Sequence, residues 1–518
     1  MSNLLQKASI ITTPTAYDTG KILSVKPVQY YGPELVTNGD FESNVNNWGT
    51  DSGATITWQS DQTALVTSTA DSTFAIVQSN VLTVNRKYKV SLKFKPNNTG
   101  VFRVRLGGSL VTFSTSVFNT NEWNNIEFIG IADNTTLEIG SSGGSITNFY
   151  IDNVSIKEVF NADFDFTRNS SATRVGSNGL IQDVASNLPR IDYTGGVGSW
   201  KFEPQSINVL PYSENFSHSS WVKNDVTIQS GYIAPDGTNS AYKVTKIGSN
   251  AHLVNTTTGG NTATKSIFAK TTSGTGTIIL FNNVTTYFTI TEEWQRFDIQ
   301  HNGLDFFYAA DFRGASTLTE IIIWGAQSEA LSYPTSYIRS NIGSATTRLA
   351  DVANNAGSSD LINSTEGVLY AEISALADDG TFRRISLADG TNNNRILLGF
   401  GDDNNISAVL LSGGGLQSNL NSSIDILNNN KVAFLYKENN FELWINGFQI
   451  STDNSGITFS NNTLNVLDFK NSAGGFDFYG NTKSVAVFKE ALTDLELECL
   501  VSWMSFSDLG INFGYTVE

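Results

Sequence analysis

The chain has 518 residues, of which 40% are hydrophobic, 11% aromatic and only 16% charged. This length exceeds what one hydrophobic core supports and predicts two to four domains, and the apolar content excludes a disordered chain. The net charge of −17 argues against binding to nucleic-acid phosphates or to anionic lipid, and no apolar window is long enough to cross a membrane. The single cysteine, Cys499, excludes an intrachain disulfide and a cysteine-based metal site within one chain.

In chain order, short runs that alternate apolar and polar residues predict strands of antiparallel sheets at 88–94, 101–106, 369–373 and 441–445. Runs of this period, rich in β-branched and aromatic residues, are typical of half-buried strands. The Asn446-Gly447 pair that follows the last run predicts a type I′ hairpin turn. Further on, Thr493 and Glu496 have capping-box spacing and predict the one clear helix.

The chain also contains an internal repeat with a period of about 170 residues. Trp48 and Trp123 lie 75 residues apart, and Trp221 and Trp294 lie 73 residues apart. Aromatic residues at matching positions in two copies predict core packing in two β-sandwiches of about 125 residues each. We therefore expect all four tryptophans to be buried.

Several motifs resemble known families. Residues 35–42 (Leu-Val-Thr-Asn-Gly-Asp-Phe-Glu) and 150–156 (Tyr-Ile-Asp-Asn-Val-Ser-Ile) resemble jelly-roll carbohydrate-binding modules. Residues 431–436 (Lys-Val-Ala-Phe-Leu-Tyr), the Asn446-Gly447 hairpin and residues 486–493 resemble concanavalin-like lectin and laminin-G domains. The resemblance implies sandwich modules that bind carbohydrate.

Another group of motifs looks like a segment common in virion proteins of tailed phages. It comprises residues 164–175 (Phe-Asp-Phe-Thr-Arg-Asn-Ser-Ser-Ala-Thr-Arg-Val), with 333–337 and 347–352 later in the chain. Residues 1–27 are similar to the leading segments of phage tail-fibre-like proteins. These resemblances imply a particle protein that is made in the host cytoplasm and assembled into the virion.

Together these observations predict an all-β chain of tandem antiparallel jelly-roll sandwiches plus a C-terminal concanavalin-like sandwich. The expected domains are an N-terminal virion-attachment segment (1–33), a jelly-roll module (34–159), a phage-type β connector (160–204), a second jelly-roll module (205–350) and a lectin-like domain (351–518). Repetition of modules and of copies on one particle would multiply weak contacts, which suits an adhesin.

The expected function is that of a non-enzymatic tail fibre or decorating fibre that attaches the particle to host or environmental glycans. The expected partners are other virion proteins, held through the N-terminal segment, and further copies of the chain in a homo-oligomer, with a trimer suggested by the fibre role. Neither nucleic acid nor a membrane is an expected partner. A purely structural fibre or adaptor protein and a polysaccharide-degrading enzyme remain as alternatives.

The resemblance to carbohydrate-binding modules implies a structural calcium where the first strand meets the last. Asp40, Glu42 and Asp152 occupy the matching positions, and calcium is bound by six to eight oxygen ligands. The second copy has Trp324 or Gly325 at the position of Asp152. We therefore expect calcium in the first module only, with ordinary strand-end turn residues as the alternative.

Sugar binding by such sandwiches uses aromatic rings that lie flat against pyranose faces, with polar side chains around them. Trp58 and Trp200 have no counterpart in the repeat, so they are the aromatic candidates, with packing between domains as the alternative. In the lectin-like domain, the expected binding residues are four on loops that could converge at one rim of the sandwich: Arg383, Asn392, Asn394 and Asp402.

An enzymatic role has little support in the sequence. The three histidines all fall within one module, which disfavours a His-based nucleophile relay elsewhere. The visible acidic pairs, Asp378-Asp379 and Asp402-Asp403, fall in Gly- and Asn-rich turns. Adjacent residues in a strand point to opposite faces, so we interpret these pairs as solvated loop carboxylates rather than a catalytic pair.

Overall fold

The computed structural model divides into two compact units, Pro27–Asn161 and a larger unit made of Met1–Lys26 and Ala162–Glu518. The smaller unit is thus inserted into the larger one. The structure describes residues 4–27, 30–51, 53–68, 75–84, 86–107, 109–114, 118–142, 146, 148–256, 262–281, 286–302, 306–340 and 343–503. The last 15 residues of the predicted lectin-like domain and parts of the predicted attachment segment lie outside these ranges.

The chain begins with elements that belong to the larger unit. They are α1 (Leu4–Lys7), β1 (Ala8–Thr12), β2 (Tyr17–Asp18) and β3 (Lys21–Ile22). The smaller unit follows, with strands β4 (Tyr30–Glu34), β5 (Gly49–Thr50), β6 (Ala54–Trp58), β7 (Ala64–Ser68), β8 (Ile76–Gln78), β9 (Lys87–Pro96), β10 (Val101–Leu106), β11 (Ser109–Ser114), β12 (Asn124–Ile131), β13 (Leu137–Ser142) and β14 (Asn148–Phe160).

The smaller unit is a sandwich of two antiparallel sheets. One sheet has the order β12-β9-β14-β7-β6 with β4 added beside β14, and the other has the order β11-β10-β13-β8-β5. Strand β9 alternates strictly between outward and buried residues, as the sequence pattern predicts. The buried residues, Phe94 and Phe149 among them, form one core between the two sheets.

The chain then re-enters the larger unit through the connector strands. They are β15 (Phe164–Thr167), β16 (Ala172–Val175), β17 (Ile181–Val184), β18 (Ile191–Asp192), β19 (Ser199–Phe202) and β20 (Ser206–Asn208). The second module contains β21 (Trp221–Asn224), β22 (Val226–Tyr232), β23 (Ala241–Lys246), β24 (His252–Asn255), β25 (Thr262–Lys270), β26 (Gly276–Ile279), β27 (Tyr287–Ile290), β28 (Gln295–Asn302), β29 (Phe307–Asp311) and β30 (Glu320–Glu329).

The two jelly-roll modules have the same topology. The sheets of the second module have the orders β28-β25-β30-β23-β22 and β27-β26-β29-β24-β21, which match those of the first module strand for strand. Details repeat as well: the Trp48 indole N–H donates to the carbonyl of Asn38 at 2.9 Å, and that of Trp221 donates to the carbonyl of Tyr212 at 3.1 Å. Asn38 and Tyr212 both have a positive φ. The predicted internal repeat is therefore confirmed.

The C-terminal sandwich completes the larger unit. Its elements, with the two short strands that precede it, are β31 (Thr346–Arg348), β32 (Val352–Asn354), β33 (Glu366–Ala375), β34 (Arg383–Ala388), β35 (Arg395–Phe400), β36 (Ile406–Ser412), β37 (Gly415–Ser422), β38 (Asn430–Lys437), β39 (Asn440–Ile445), β40 (Phe448–Asp453), β41 (Val466–Asp468), β42 (Gly480–Phe488) and α2 (Asp494–Ser502). The sheet β37-β36-β35-β34-β41 packs against the sheet β18-β19-β42-β33-β38-β39-β40, which β1 extends.

Two local predictions for this sandwich are confirmed. Asn446 and Gly447 both have positive φ and join β39 to β40, as a type I′ turn requires. The Glu496 carboxylate accepts a hydrogen bond from the backbone N–H of Thr493 at 3.0 Å, which satisfies a donor at the start of α2.

The leading residues differ from the expected attachment segment. Strand β1 pairs antiparallel with the C-terminal half of β42, and β19 pairs with the N-terminal half of the same edge. Leu4, Leu5 and Ile11 are buried beside α2, and Ile10 is buried between the two sheets. The predicted boundaries are therefore corrected: residues 4–26 are part of the C-terminal sandwich, because they cover an edge and a core that it cannot cover alone.

The connector is joined to its neighbours by buried ion pairs. Arg168 and Arg190 both bind Asp351, and Arg190 and Arg348 both bind Glu203 at 2.7 and 2.6 Å. All five side chains are almost fully buried. We call this set the ionic joint. Three of its residues, Arg168, Arg348 and Asp351, come from the motifs that carry the phage-like resemblance.

Candidate functional site

Trp58 lies at the edge of the smaller unit, where β6 ends. Its ring is 37% exposed, and its indole N–H donates to the carbonyl of Phe41 at 2.8 Å. In the register, Trp58 pairs with the buried Ala64, so the ring is on the core side of its sheet rather than on the outer face. Its hydrogen bond anchors the loop that carries Asp40 within the smaller unit.

The acidic residues predicted to bind calcium lie near that loop. Asp152 is half-buried, and burial, together with the nearby carboxylates of Asp40 and Asp61, raises the pKa of Asp152. Glu42 is exposed. Within the described part of the chain, no three His, Cys, Asp or Glu side chains are placed to hold a metal ion. The predicted calcium site of Asp40, Glu42 and Asp152 is thus not assembled from these side chains.

In the corresponding region of the second module, an arginine binds the acidic side chains. Asp61 and Asp236 begin the same turn, in which each accepts a hydrogen bond from the hydroxyl of a threonine two residues on. Arg339 binds Asp236 at 2.8 Å and Glu214 at 2.5 Å and lies over the ring of Trp324. Trp324 occupies the bulge position of Asp152. A guanidinium thus balances the acids of the second copy.

Trp200 does not face solvent. Its ring is 1% exposed and packs in the core of the C-terminal sandwich, with its edge against Tyr17 at 6.0 Å between ring centroids. A buried ring cannot lie against a sugar, so the predicted recognition role of Trp200 is wrong. The alternative reading, packing between parts of the chain, is the one that the structure supports.

The four predicted residues of the lectin-like domain do not converge. Strands β34 and β35 form a hairpin in which Arg383 pairs with Phe400, so Arg383 and Asp402 lie at one end. Asn392 and Asn394 lie in the loop at the other end. Six strand residues separate the two ends, which corresponds to roughly 20 Å. No single sugar can contact both pairs.

Arg383 and Asn394 are also engaged in local structure. Arg383 is 1% exposed and binds Asp379 at 2.6 Å. The side chain of Asn394 donates to Asp389 at 2.8 Å and accepts from the backbone N–H of Gly413 at 2.9 Å. These side chains hold loops in place rather than project from them.

The exposed aromatic site of the smaller unit is one that sequence analysis missed. Trp123 was expected in the core, but its ring is 41% exposed on the outer face of the sheet that contains β9. The ammonium of Lys95 lies 5.7 Å from the centre of the Trp123 ring and 4.6 Å from that of Tyr150. Lys95 and Tyr150 pair directly across β9 and β14. We call these three residues the Trp123 face.

A signal for the Trp123 face was present in the sequence. The period-two pattern of β9 places Lys93 and Lys95 on the side opposite the core. Trp123 precedes β12, whose pairing with β9 begins at Asn124 opposite the buried Phe94, so Trp123 falls beside Lys95 on the outer side. Treating the tryptophan as a repeated core position hid this alternation.

The second module carries the same pair in a covered setting. The Lys270 ammonium lies 5.7 Å from the centre of the Trp294 ring. Ile322 pairs with Lys270 at the position that Tyr150 has in the first copy, and it is buried with Ile181 of the connector. The Trp294 indole N–H donates to the carbonyl of Ile233 at 3.3 Å. The connector thus packs against this side of the second module, which leaves Trp294 less exposed than Trp123.

Two surface clefts of the larger unit bear on the enzymatic alternative. A cleft of about 290 Å³ is lined by Glu214, Asn215, Ser230, Asn239, Ser240 and Tyr242. A cleft of about 270 Å³ is lined by Ser359, Ile362, Asn363, Ser364, Asn461, Asn462 and Lys489. The first has one carboxylate, which Arg339 binds, and the second has none. A glycoside hydrolase needs two carboxylates across the sugar, and neither cleft supplies them.

Asp379, one of the carboxylates that the sequence offered as a catalytic alternative, forms an ion pair with Arg383 at 2.6 Å. Burial alone would raise the pKa of Asp379, but Arg383 and hydrogen bonds from Thr381 and Ser332 hold that pKa below its usual value. A general acid needs a raised pKa.

In the described part of the chain, no helix is both long and apolar enough to cross a bilayer.

The comparisons with known proteins concern single modules. The sequence matches no protein-family model and no curated protein. Similar solved structures include the CBM40 of a Ruminococcus gnavus IT-sialidase bound to α2,3-sialyllactose, at 16% identity over 29% of this chain and 94% of that chain, TM-score 0.25. A pentraxin of Limulus polyphemus is 15% identical over 28% of this chain and 73% of its own, TM-score 0.24.

A third similar structure is domain 4 of AbnA, an extracellular arabinanase from Geobacillus stearothermophilus, in complex with arabinotriose. It is 14% identical over 32% of this chain and 81% of its own, TM-score 0.25. The chain is all-β, built of antiparallel sandwiches.

Proposed function

We propose that this chain is a non-enzymatic glycan-binding protein and that the Trp123 face of the smaller unit is its binding site. The supporting observation is a pair of aromatic side chains, Trp123 and Tyr150, that share one outer sheet face around the ammonium of Lys95. Aromatic rings offer large apolar area to the C–H faces of a sugar, and the lysine supplies a donor for its hydroxyl groups. The second module, with its covered face, serves as a scaffold.

The test is glycan-array binding by the full-length chain and by matched variants. Trp123→Ala is expected to weaken binding at least about tenfold, because buried aromatic anchors carry much of the energy of such contacts. Trp294→Ala, at the same position of the second module, is the control and leaves glycan binding unchanged. Equal binding by wild type and Trp123→Ala, with both proteins folded by circular dichroism, would exclude the site.

We further propose that the protein is a virion component that acts as an adhesin of a tailed phage, as a homo-oligomer and in contact with other virion proteins. Support comes from the phage-like motifs, which contribute Arg168, Arg348 and Asp351 to the ionic joint. Several weak sites on one particle act at high effective concentration. Immunolabelling of particles with an antibody to the C-terminal sandwich tests this location. Particles without label, from cells that make the protein, would exclude it.

A further inference from the structure

Three lysines of β9, Lys89, Lys93 and Lys95, point away from the core on the side of the sheet that carries Trp123. They differ in their partners. Lys89 binds the carboxylate of Glu127 at 2.9 Å. Lys93 lies opposite Asp152 in the register of β9 and β14, and its charge partly opposes the rise in the pKa of Asp152 that burial causes. No carboxylate among the described residues forms an ion pair with Lys95, whose partners are two aromatic rings.

The Lys95 ammonium is thus a cation beside two aromatic rings that is available to pair with an anion. The charges of Lys89 and Lys93 are offset by neighbouring acids, so they add little to the local potential. The ammonium of Lys95 is half-buried between Trp123 and Tyr150, where an ion pair is less screened than at an open surface. An anion that stacks its ring on Trp123 would find this ammonium next to it.

We propose that the Trp123 face selects anionic saccharides, whose carboxylate or sulfate group pairs with the Lys95 ammonium while the sugar ring lies against Trp123. This inference rests on the proposed function of that face. A carboxylate or sulfate group and an ammonium form a charge-assisted hydrogen bond, which is about twice as strong as a hydrogen bond between neutral groups. A neutral sugar gains the stacking contact but not this bond.

The experiment measures binding of the full-length chain to immobilised polymers in matched pairs. Polygalacturonic acid is compared with its methyl ester for the carboxylate, and dextran sulfate is compared with dextran for the sulfate. The variants are Lys95→Gln, Lys95→Arg and Trp123→Ala, with Lys270→Gln as the control in the second module. Each measurement is repeated in 0.5 M NaCl, because salt screens ion pairs.

Wild type and Lys270→Gln are expected to bind at least one anionic polymer about tenfold more tightly than its neutral partner. Lys95→Gln is expected to lower this ratio to about one, and Lys95→Arg is expected to keep most of it. A ratio in Lys95→Gln equal to that of wild type overturns the inference, and so does a lack of binding to both anionic polymers. If Trp123→Ala loses binding to both neutral and anionic polymers while Lys95→Gln keeps the wild-type ratio, the glycan site is supported. In that case only its preference for anions is excluded.

Discussion

Replacing Ile10 with alanine tests whether the leading residues are part of the fold. Ile10 is fully buried in the same cluster as Leu369 and Val487, between the two sheets of the C-terminal sandwich. Its strand, β1, continues the eight-stranded sheet beside β42. A free attachment segment would tolerate this substitution, whereas an edge strand packed on a core would not.

The expected cost follows from the burial of the side chain. Truncation of a fully buried isoleucine to alanine costs about 2 to 5 kcal/mol, because apolar contacts are lost and a cavity remains. The Ile10 Cδ1 atom also lies next to Gly357, where an added Cβ would be 3.0 Å from it. At about 2 °C per kcal/mol for a large domain, the melting temperature of the larger unit falls by about 4 to 10 °C.

Differential scanning calorimetry of the full-length chain measures this change. Thr15→Ala, in the exposed turn after β1, is the control and shifts the melting temperature by less than about 1 °C. The transition of the smaller unit stays in place in both variants, since its core shares no residue with that of Ile10. A melting temperature of Ile10→Ala within 1 °C of wild type would refute the structural role of these residues.

Two further predictions concern the ionic joint and the inserted unit. Glu203→Gln removes the charge that pairs with Arg190 and Arg348 and is expected to lower the free energy of unfolding in urea by about 3 to 5 kcal/mol. The control, Glu127→Gln at an exposed ion pair, is expected to lower it by less than about 1 kcal/mol. Burial alone would raise the pKa of Glu203, but Arg348 and Arg190 hold it well below the usual value. Its stabilisation is therefore present above about pH 4.3 and lost as the pH falls further, and a Glu203→Gln chain that melts like wild type at pH 7 would contradict this. Replacement of 27–161 by a short Gly-Ser linker leaves the larger unit folded with an unchanged melting temperature, because Ser24 bonds both Ala162 and Asp163 where the chain leaves and returns; an unfolded product would contradict it.

Local sequence patterns predicted the parts of the fold that local physics decides. The alternation of apolar and polar residues predicted the strands, the Asn446-Gly447 pair predicted a hairpin turn, and Thr493 predicted the start of a helix. The repeat was visible because two copies of one sandwich need the same turns, such as the left-handed residue whose carbonyl accepts the indole N–H of Trp48 or Trp221.

The candidate site was harder to predict because it depends on register and on what covers a face. The Lys–Trp pair is the same in both copies, yet Trp123 is exposed whereas Trp294 is partly buried against a cluster that includes Ile181 of the connector. For the same reason Trp200 looked free, although the C-terminal sandwich buries it. No pattern within a single module contains this information.

The ionic joint bears on how far the phage-like resemblance reaches. Five charged side chains buried together are expensive to desolvate, and removing one of them leaves the net charge of the buried set unbalanced. The ionic joint of Arg168, Arg190 and Arg348 with their acids concerns how modules are joined. Ligand choice depends instead on exposed residues such as Trp123, because a shared fold does not determine what is bound. A variant with an intact joint and an altered Trp123 face should then stay fully folded and change only what it binds.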